Sequence, residues 1–159
     1  MTDEIEIVRT ILKAARTASV TTQTAEGHLE SRPLAVITDD FDGKLWFFTA
    51  DPSPKTQDLA THPEVNVSVG DGKGWLSLSG IGSVSRDAER IDRYWNPWAE
   101  AYFEGGRDDP SVALLEVDVH TVHYWDLDKP AIATAFEVAK GLVTRSAPDV
   151  GDDGVIHLG

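Results

Sequence analysis

Cysteine is absent from this 159-residue chain. Disulfides, thiolate nucleophiles and zinc–thiolate clusters are therefore excluded, while the redox compartment is left open. Long apolar runs are lacking too. No stretch approaches the roughly 18 residues of a membrane span, and the N-terminus has no signal-peptide core. Positive charge is scarce: 14 Lys and Arg face 27 Asp and Glu, for a net charge of −13 and a pI near 4.6. Nucleic acid and anionic membrane are poor partners for such a chain. These shortages predict a soluble, cytoplasmic protein. The length suits one domain with a real core, burying roughly 70% of the unfolded surface.

What is present is a series of short β-type segments behind one helix. Residues 3–17 read as an amphipathic helix, with Asp3 and Glu6 as a capping pair and Ile5, Val8, Leu12 and Ala15 in one stripe. Strands are expected at Ala18–Thr24, Leu29–Thr38 and Leu45–Thr49, the last entered through an Asp42-Gly43 hairpin signal. A short helix near Pro54–Thr61 follows, then a strand in which Val65, Val67 and Val69 alternate with polar residues. Trp75–Ser85 alternates again, and its Gly80 and Gly82 point to a bend or a close backbone approach. Helices are expected at Asp87–Tyr94, Pro97–Phe103 and Ala131–Val143, and a long strand at Val112–Trp125. The organisation is one domain over residues 1–144 with an acidic, glycine-bearing and mobile tail over 145–159. Six strands joined mostly by hairpins predict a mainly β fold with flanking helices, a closed antiparallel barrel rather than a doubly wound sheet.

Several apparent motifs fail. Gly70-Asp71-Gly72-Lys73-Gly74 lacks Walker spacing and lies between strands, so it reads as a hairpin. Gly80-Ile81-Gly82 has Ser85 where the third glycine of a dinucleotide fingerprint belongs. His120 and His123, three apart, fall on opposite faces of a regular strand, so no metal site is expected. No serine sits in a nucleophile elbow, and no side chain stands out as a general acid or base.

The stretch LWFFTADPSPKTQDL, from Leu45 to Leu59, is more telling. An apolar strand breaks into a loop that opens a helix, and Thr49, Ser53 and Lys55 gather with the amides freed at the helix start. Helix N-termini carry unpaired donors and partial positive charge, and a lysine and hydroxyls there suit an anion. Arg32, in the earlier Arg32-Pro33-Leu34 segment, could reach the same anion. Each residue has a plainer alternative. Lys55 could be merely solvated, Arg32 could pair with any acid, Ser53 could only cap the helix, and Trp46, Phe47 and Phe48 could be core.

The ordered set Ser31-Arg32-Pro33-Leu34, Leu45-Trp46-Phe47-Phe48-Thr49, Ser53-Pro54-Lys55, His62-Pro63-Glu64-Val65, Trp75–Gly80, Tyr94-Trp95-Asn96-Pro97, Gly105–Pro110 and Tyr124-Trp125-Asp126 resembles the FMN-binding split-barrel superfamily. These are the pyridoxamine 5′-phosphate oxidase-like proteins, and the closer likeness is to the general stress protein 26 branch. The resemblance spans roughly Val8 to Asp126. It implies a six-stranded antiparallel split β-barrel that forms a homodimer, with FMN in a groove at the subunit interface. By position, Arg32, Ser53 and Lys55 would hold the phosphate, and backbone at Phe48 and Thr49 would lie along the flavin ring beside Pro33 and Leu34. Trp95 and Tyr102 match aromatic positions near the ring's exposed face; many relatives carry tryptophan where Tyr102 stands. FAD and coenzyme F420 stay open as alternative cofactors. The implied function is an FMN-dependent oxidoreductase acting on a small substrate, or alternatively a non-enzymatic flavin-storage stress protein. The acidic tail holds no basic substrate motif of a true pyridoxamine phosphate oxidase.

Overall fold

The computed structural model describes residues 2–37, 41–70, 72, 74–126 and 152–158. Helix α1 (Thr2–Ala14) leads into strands β1 (Thr17–Gln23), β2 (Leu29–Ala35) and β3 (Lys44–Ala50). Helix α2 (Pro54–Thr61), strands β4 (Glu64–Gly70) and β5 (Gly74–Ser85), and helices α3 (Ala88–Tyr94) and α4 (Pro97–Tyr102) follow. A 3₁₀ turn at Gly106–Asp108 precedes strands β6 (Val112–Asp126) and β7 (Asp152–His157). All pairings are antiparallel, in the order β2-β1-β4-β5-β6-β3, with β7 also on β6. The predicted elements thus form, with β7 as an addition and the 131–143 helix lying outside the described residues.

Strand β6 is the organising element. One edge pairs with β5 along its whole length, while the other pairs with β3 at Val112–Asp118 and with β7 at Thr121–Asp126. Strands β2 and β3 end the path on opposite sides and are not paired, so the barrel is split rather than closed. This corrects the hairpin expected at Asp42-Gly43. Gly43 does turn the chain, at φ 121°, but β3 crosses to β6 instead of returning along β2.

Apolar alternation explains the core. Ala18 and Val20 of β1, Val65, Val67 and Val69 of β4, and Leu76 and Leu78 of β5 meet Leu45 and Phe47 of β3 inside, and α1 adds Val8, Ile11 and Leu12. Strand β3 is covered on both faces. Phe48 packs with Ile91, Tyr94, Ala99, Phe103, Val112 and Leu114 in a second core under α3 and α4, which accounts for its unbroken apolar run.

Period two breaks at the middle of β6. Val117 and Val119 are buried, then Val122 and Tyr124, and the β5 register shifts between Ser79 and Gly80. His120 has no partner across this β-bulge. The extra residue puts His120 and His123 on the same outer side, and overturns the opposite-face reading drawn from a regular strand. Gly80 sits at this point because a Cβ there would collide with the Asp118 carbonyl.

The tail also differs from expectation. Asp152–His157 is strand rather than a mobile extension, because Ile156, 2% exposed, enters the main core and β7 occupies the β6 edge left by β3. Among the described residues no helix is long and apolar enough to cross a membrane.

Candidate functional site

Helix α2 begins as its sequence directs. Ser53 is the N-cap, Pro54 follows at the first helical position, and Ser53 and Thr56 form a reciprocal capping box: the Ser53 N–H donates to Thr56 Oγ1 at 2.9 Å and Ser53 Oγ accepts the Thr56 N–H at 3.4 Å. The Gln57 N–H returns to the Ser53 carbonyl. Pro54 has no N–H, so the Lys55 amide is the donor of this first turn without a partner among the described residues. Ser53 is therefore a cap, a role that still leaves its hydroxyl at the helix entrance.

The side chain of Lys55 is half-buried and makes no hydrogen bond or ion pair among the described residues. Burial lowers its pKa from the usual 10.5, and the Arg32 guanidinium lowers it further. That coupling brings together two residues 23 positions apart. Arg32 itself is anchored: Nη1 donates to Thr22 Oγ1 at 2.6 Å and makes a longer contact to the Val20 carbonyl at 3.4 Å. Its Nη2 lies 3.8 Å from Glu30 and 4.0 Å from Asp58. The Thr22 hydroxyl donates to Asp58 Oδ2 at 3.0 Å. Strands β1 and β2 and helix α2 thus converge on one cationic corner, which can hold an anion through Arg32, Lys55 and the helix-start amide.

The remaining candidates divide between core and surface. Leu34 and Thr49 are buried, and Thr49 Oγ1 donates to the Ala50 carbonyl at 3.2 Å, so ring contact would fall to their backbones. Phe48 sits in the second core, where Trp95 meets it edge-on with ring centroids 5.6 Å apart. Pro33 is exposed and, with Ser31, Arg32, Ser68 and Trp75, lines a shallow cavity of about 330 Å³. Tyr102 is 52% exposed, packs edge-on against Phe103 at 4.9 Å, and stacks on Trp98 at 5.0 Å with ring planes 11° apart. Among the described residues, no hydrogen bond or ring contact joins this aromatic group to the cationic corner.

Three participants escaped the sequence reading. Thr22 betrays itself only as a polar residue at an inward position in the Ala18, Val20, Thr22 alternation. Asp58 lies one helical turn after Lys55, and Trp98 one turn before Tyr102.

A family model described as "Pyridoxamine 5'-phosphate oxidase like" matches residues 3–149. The chain is similar to Protein bli-3 of Neurospora crassa, 32% identical over 132 residues covering 74% of this chain, and it spans only 62% of that relative's length. A candidate general stress protein 26 from Jannaschia sp. CCS1 superposes with a TM-score of 0.79 at 26% identity, over 99% of this chain and 100% of the other. The general stress FMN/FAD binding protein of Xanthomonas citri superposes with a TM-score of 0.67 at 29% identity, over 79% of this chain and 92% of the other.

Proposed function

The chain belongs to the pyridoxamine 5′-phosphate oxidase-like family, and on that footing we propose that it binds FMN and works as an FMN-dependent oxidoreductase of the general stress protein type on a small substrate. The observation that carries this reading is half-buried Lys55, without a hydrogen-bond or ion-pair partner among the described residues and close enough to Arg32 to feel its charge. Two cations held together in an acidic chain fit a phosphate, which would receive charge-assisted bonds from both. Ser53 and the Lys55 amide would add donors from the helix start, and the phosphate would meet the favourable end of the α2 dipole.

The flavin ring would lie along the backbone of Phe48 and Thr49, near Pro33 and Leu34, with Trp95 and Tyr102 toward its open face. When bound, the flavin supplies hydride or electron transfer, and the protein supplies position and electrostatics. The FMN/FAD binding named for the Xanthomonas citri relative supports a flavin as the ligand. We place the two-chain groove on a homodimer. The apolar residues exposed on the outer sheet, Trp75 at 48%, Ile81 at 44% and Val155 at 47%, support a covered face there.

Titration of purified apo-protein with FMN, FAD and coenzyme F420 tests the cofactor. FMN binding with a flavin absorption band is expected, and failure to bind any of the three refutes the reading. Anaerobic addition of NADH or NADPH then tests the chemistry. Bleaching of the band at turnover rates is expected of an oxidoreductase, whereas an unchanged band assigns the protein to flavin storage.

A further inference from the structure

Buried Thr22 and partly buried Asp58 contribute no group of their own to the anion, yet both converge on Arg32. We propose that they are positioning residues that set the Arg32 guanidinium for phosphate recognition, an inference that rests on the flavin-phosphate reading above. The polarity of the chain of bonds follows from chemistry. A guanidinium only donates and a carboxylate only accepts. The single Thr22 proton therefore goes to Asp58 Oδ2 at 3.0 Å, and a hydroxyl lone pair receives Arg32 Nη1 at 2.6 Å. Thr22 is 1% exposed, so its hydroxyl is shielded from bulk water.

This arrangement commits one edge of Arg32 to direct hydrogen bonds and leaves another with only longer ion-pair contacts. Nη1 is bound to Thr22 and to the Val20 carbonyl. Nη2 lies at 3.8 and 4.0 Å from the Glu30 and Asp58 carboxylates, beyond hydrogen-bond reach, and Nε has no partner among the described residues. Nε and Nη2 form the planar fork that pairs bidentately with a phosphate. Asp58 stands on α2 three residues after Lys55, so the Asp58–Thr22–Arg32 bonds couple the helix bearing one cation to the strand bearing the other. The Thr22 hydroxyl thereby sets where the fork stands relative to the Lys55 ammonium, and the ligand class it selects is a flavin carrying a phosphate over one ending in a free ribityl hydroxyl.

The test compares Kd for FMN and riboflavin, read by quenching of flavin fluorescence, in wild type, Thr22→Val, Thr22→Ser, Arg32→Ala and the Thr22→Val/Arg32→Ala double variant. Because a hydrogen bond to a charged group is at stake, Thr22→Val is expected to weaken FMN about 10-fold. Riboflavin should move less than about twofold, Thr22→Ser should restore FMN binding, and Thr22→Val should add nothing once Arg32 is alanine. Equal weakening of both flavins, or a Thr22→Val loss that persists without Arg32, overturns the proposal. Should Thr22→Val fail to fold, Asp58→Asn and Asp58→Ala replace it. The asparagine oxygen still accepts from Thr22, so Asp58→Asn should keep the preference for FMN over riboflavin and Asp58→Ala should lose most of it; equal preferences in the two overturn the proposal. A wild type that binds riboflavin as tightly as FMN refutes the phosphate reading itself, and this inference with it, by a result distinct from the others.

Discussion

Half-buried Lys55 is held below the ordinary lysine pKa of 10.5 first by loss of water and then by the Arg32 guanidinium beside it. Like charges brought together away from water raise the energy of the folded chain unless something of opposite sign sits between them. The nearest carboxylates, Glu30 at 3.8 Å and Asp58 at 4.0 Å, stand beside Arg32 Nη2 and not at the Lys55 ammonium, which makes no ion pair among the described residues. The pair therefore reads as a site prepared for an anion.

Removing the lysine tests this directly. A charge-assisted hydrogen bond contributes about 1.5–3 kcal/mol, so Lys55→Ala is expected to weaken FMN roughly 10- to 150-fold. Riboflavin, which lacks the phosphate, should bind wild type and variant alike. Isothermal titration of both ligands measures the difference, and unchanged FMN affinity would show that the phosphate lies elsewhere.

The depressed lysine also predicts a pH profile. Its folded pKa is lowered, so in the window between that value and 10.5 the unfolded chain holds more protons, and the stability of the apo-protein rises with pH there. Ligand binding has the opposite slope, because a phosphate favours the charged lysine. FMN affinity should be full at neutral pH and decline as the lysine deprotonates, whereas the phosphate itself, with a second pKa of about 6, stays dianionic throughout. In Lys55→Arg the alkaline decline should vanish. Kd measured in steps from about pH 7 to about pH 10 checks the binding slope, within the range where arginine keeps its charge, and urea unfolding of the apo-protein over the same steps checks the stability slope.

At the bulge, Gly80→Ala is expected to destabilise the fold, because the new methyl meets the backbone carbonyl of Asp118 rather than a side chain that can rotate away. Overpacking of this kind costs about 1–3 kcal/mol. Thermal unfolding should show a drop of roughly 2–4 °C for each kcal/mol. A melting temperature equal to wild type would mean that β5 and β6 separate more easily than their register implies.

The last strand makes a prediction of its own. Ile156 is 2% exposed and belongs to the main core, so Ile156→Ala should cost about 2–5 kcal/mol in urea unfolding. The neighbouring Val155, 47% exposed, gives the contrast: Val155→Ala should stay within about 0.5 kcal/mol in the isolated protomer. A silent Ile156→Ala would return residues 152–157 to the role of an unattached tail.

Much of this architecture was legible locally. Ser53 followed by Pro54 places the start of α2, the Val65, Val67, Val69 alternation places β4, and the glycines of β5 announce a close approach, because cap chemistry, side-chain period and the lack of a Cβ act over a few residues. Of the binding candidates, Lys55 was legible as a cation at a helix start, Ser53 as the cap of that helix, and Arg32 as a strand cation able to reach the same anion. Trp95 was legible as an aromatic; its edge-on contact with Phe48 was not.

Tertiary structure decided the rest. The choice of β6 rather than β2 as the partner of β3, the bulge that turns His120 and His123 to one side, and the recruitment of Ile156 into the core all follow from which surfaces can be buried together, a property of the whole chain. So does the Arg32–Lys55 corner. Arg32, Lys55, Thr22 and Asp58 come from two strands and a helix, and only the folding of α2 against β1 sets their hydrogen bonds and their charge repulsion. Sequence determined which groups were available to grip an anion, since residue type sets charge and donor number; the packed barrel determined that they face one another, since that distance depends on elements far apart in the chain.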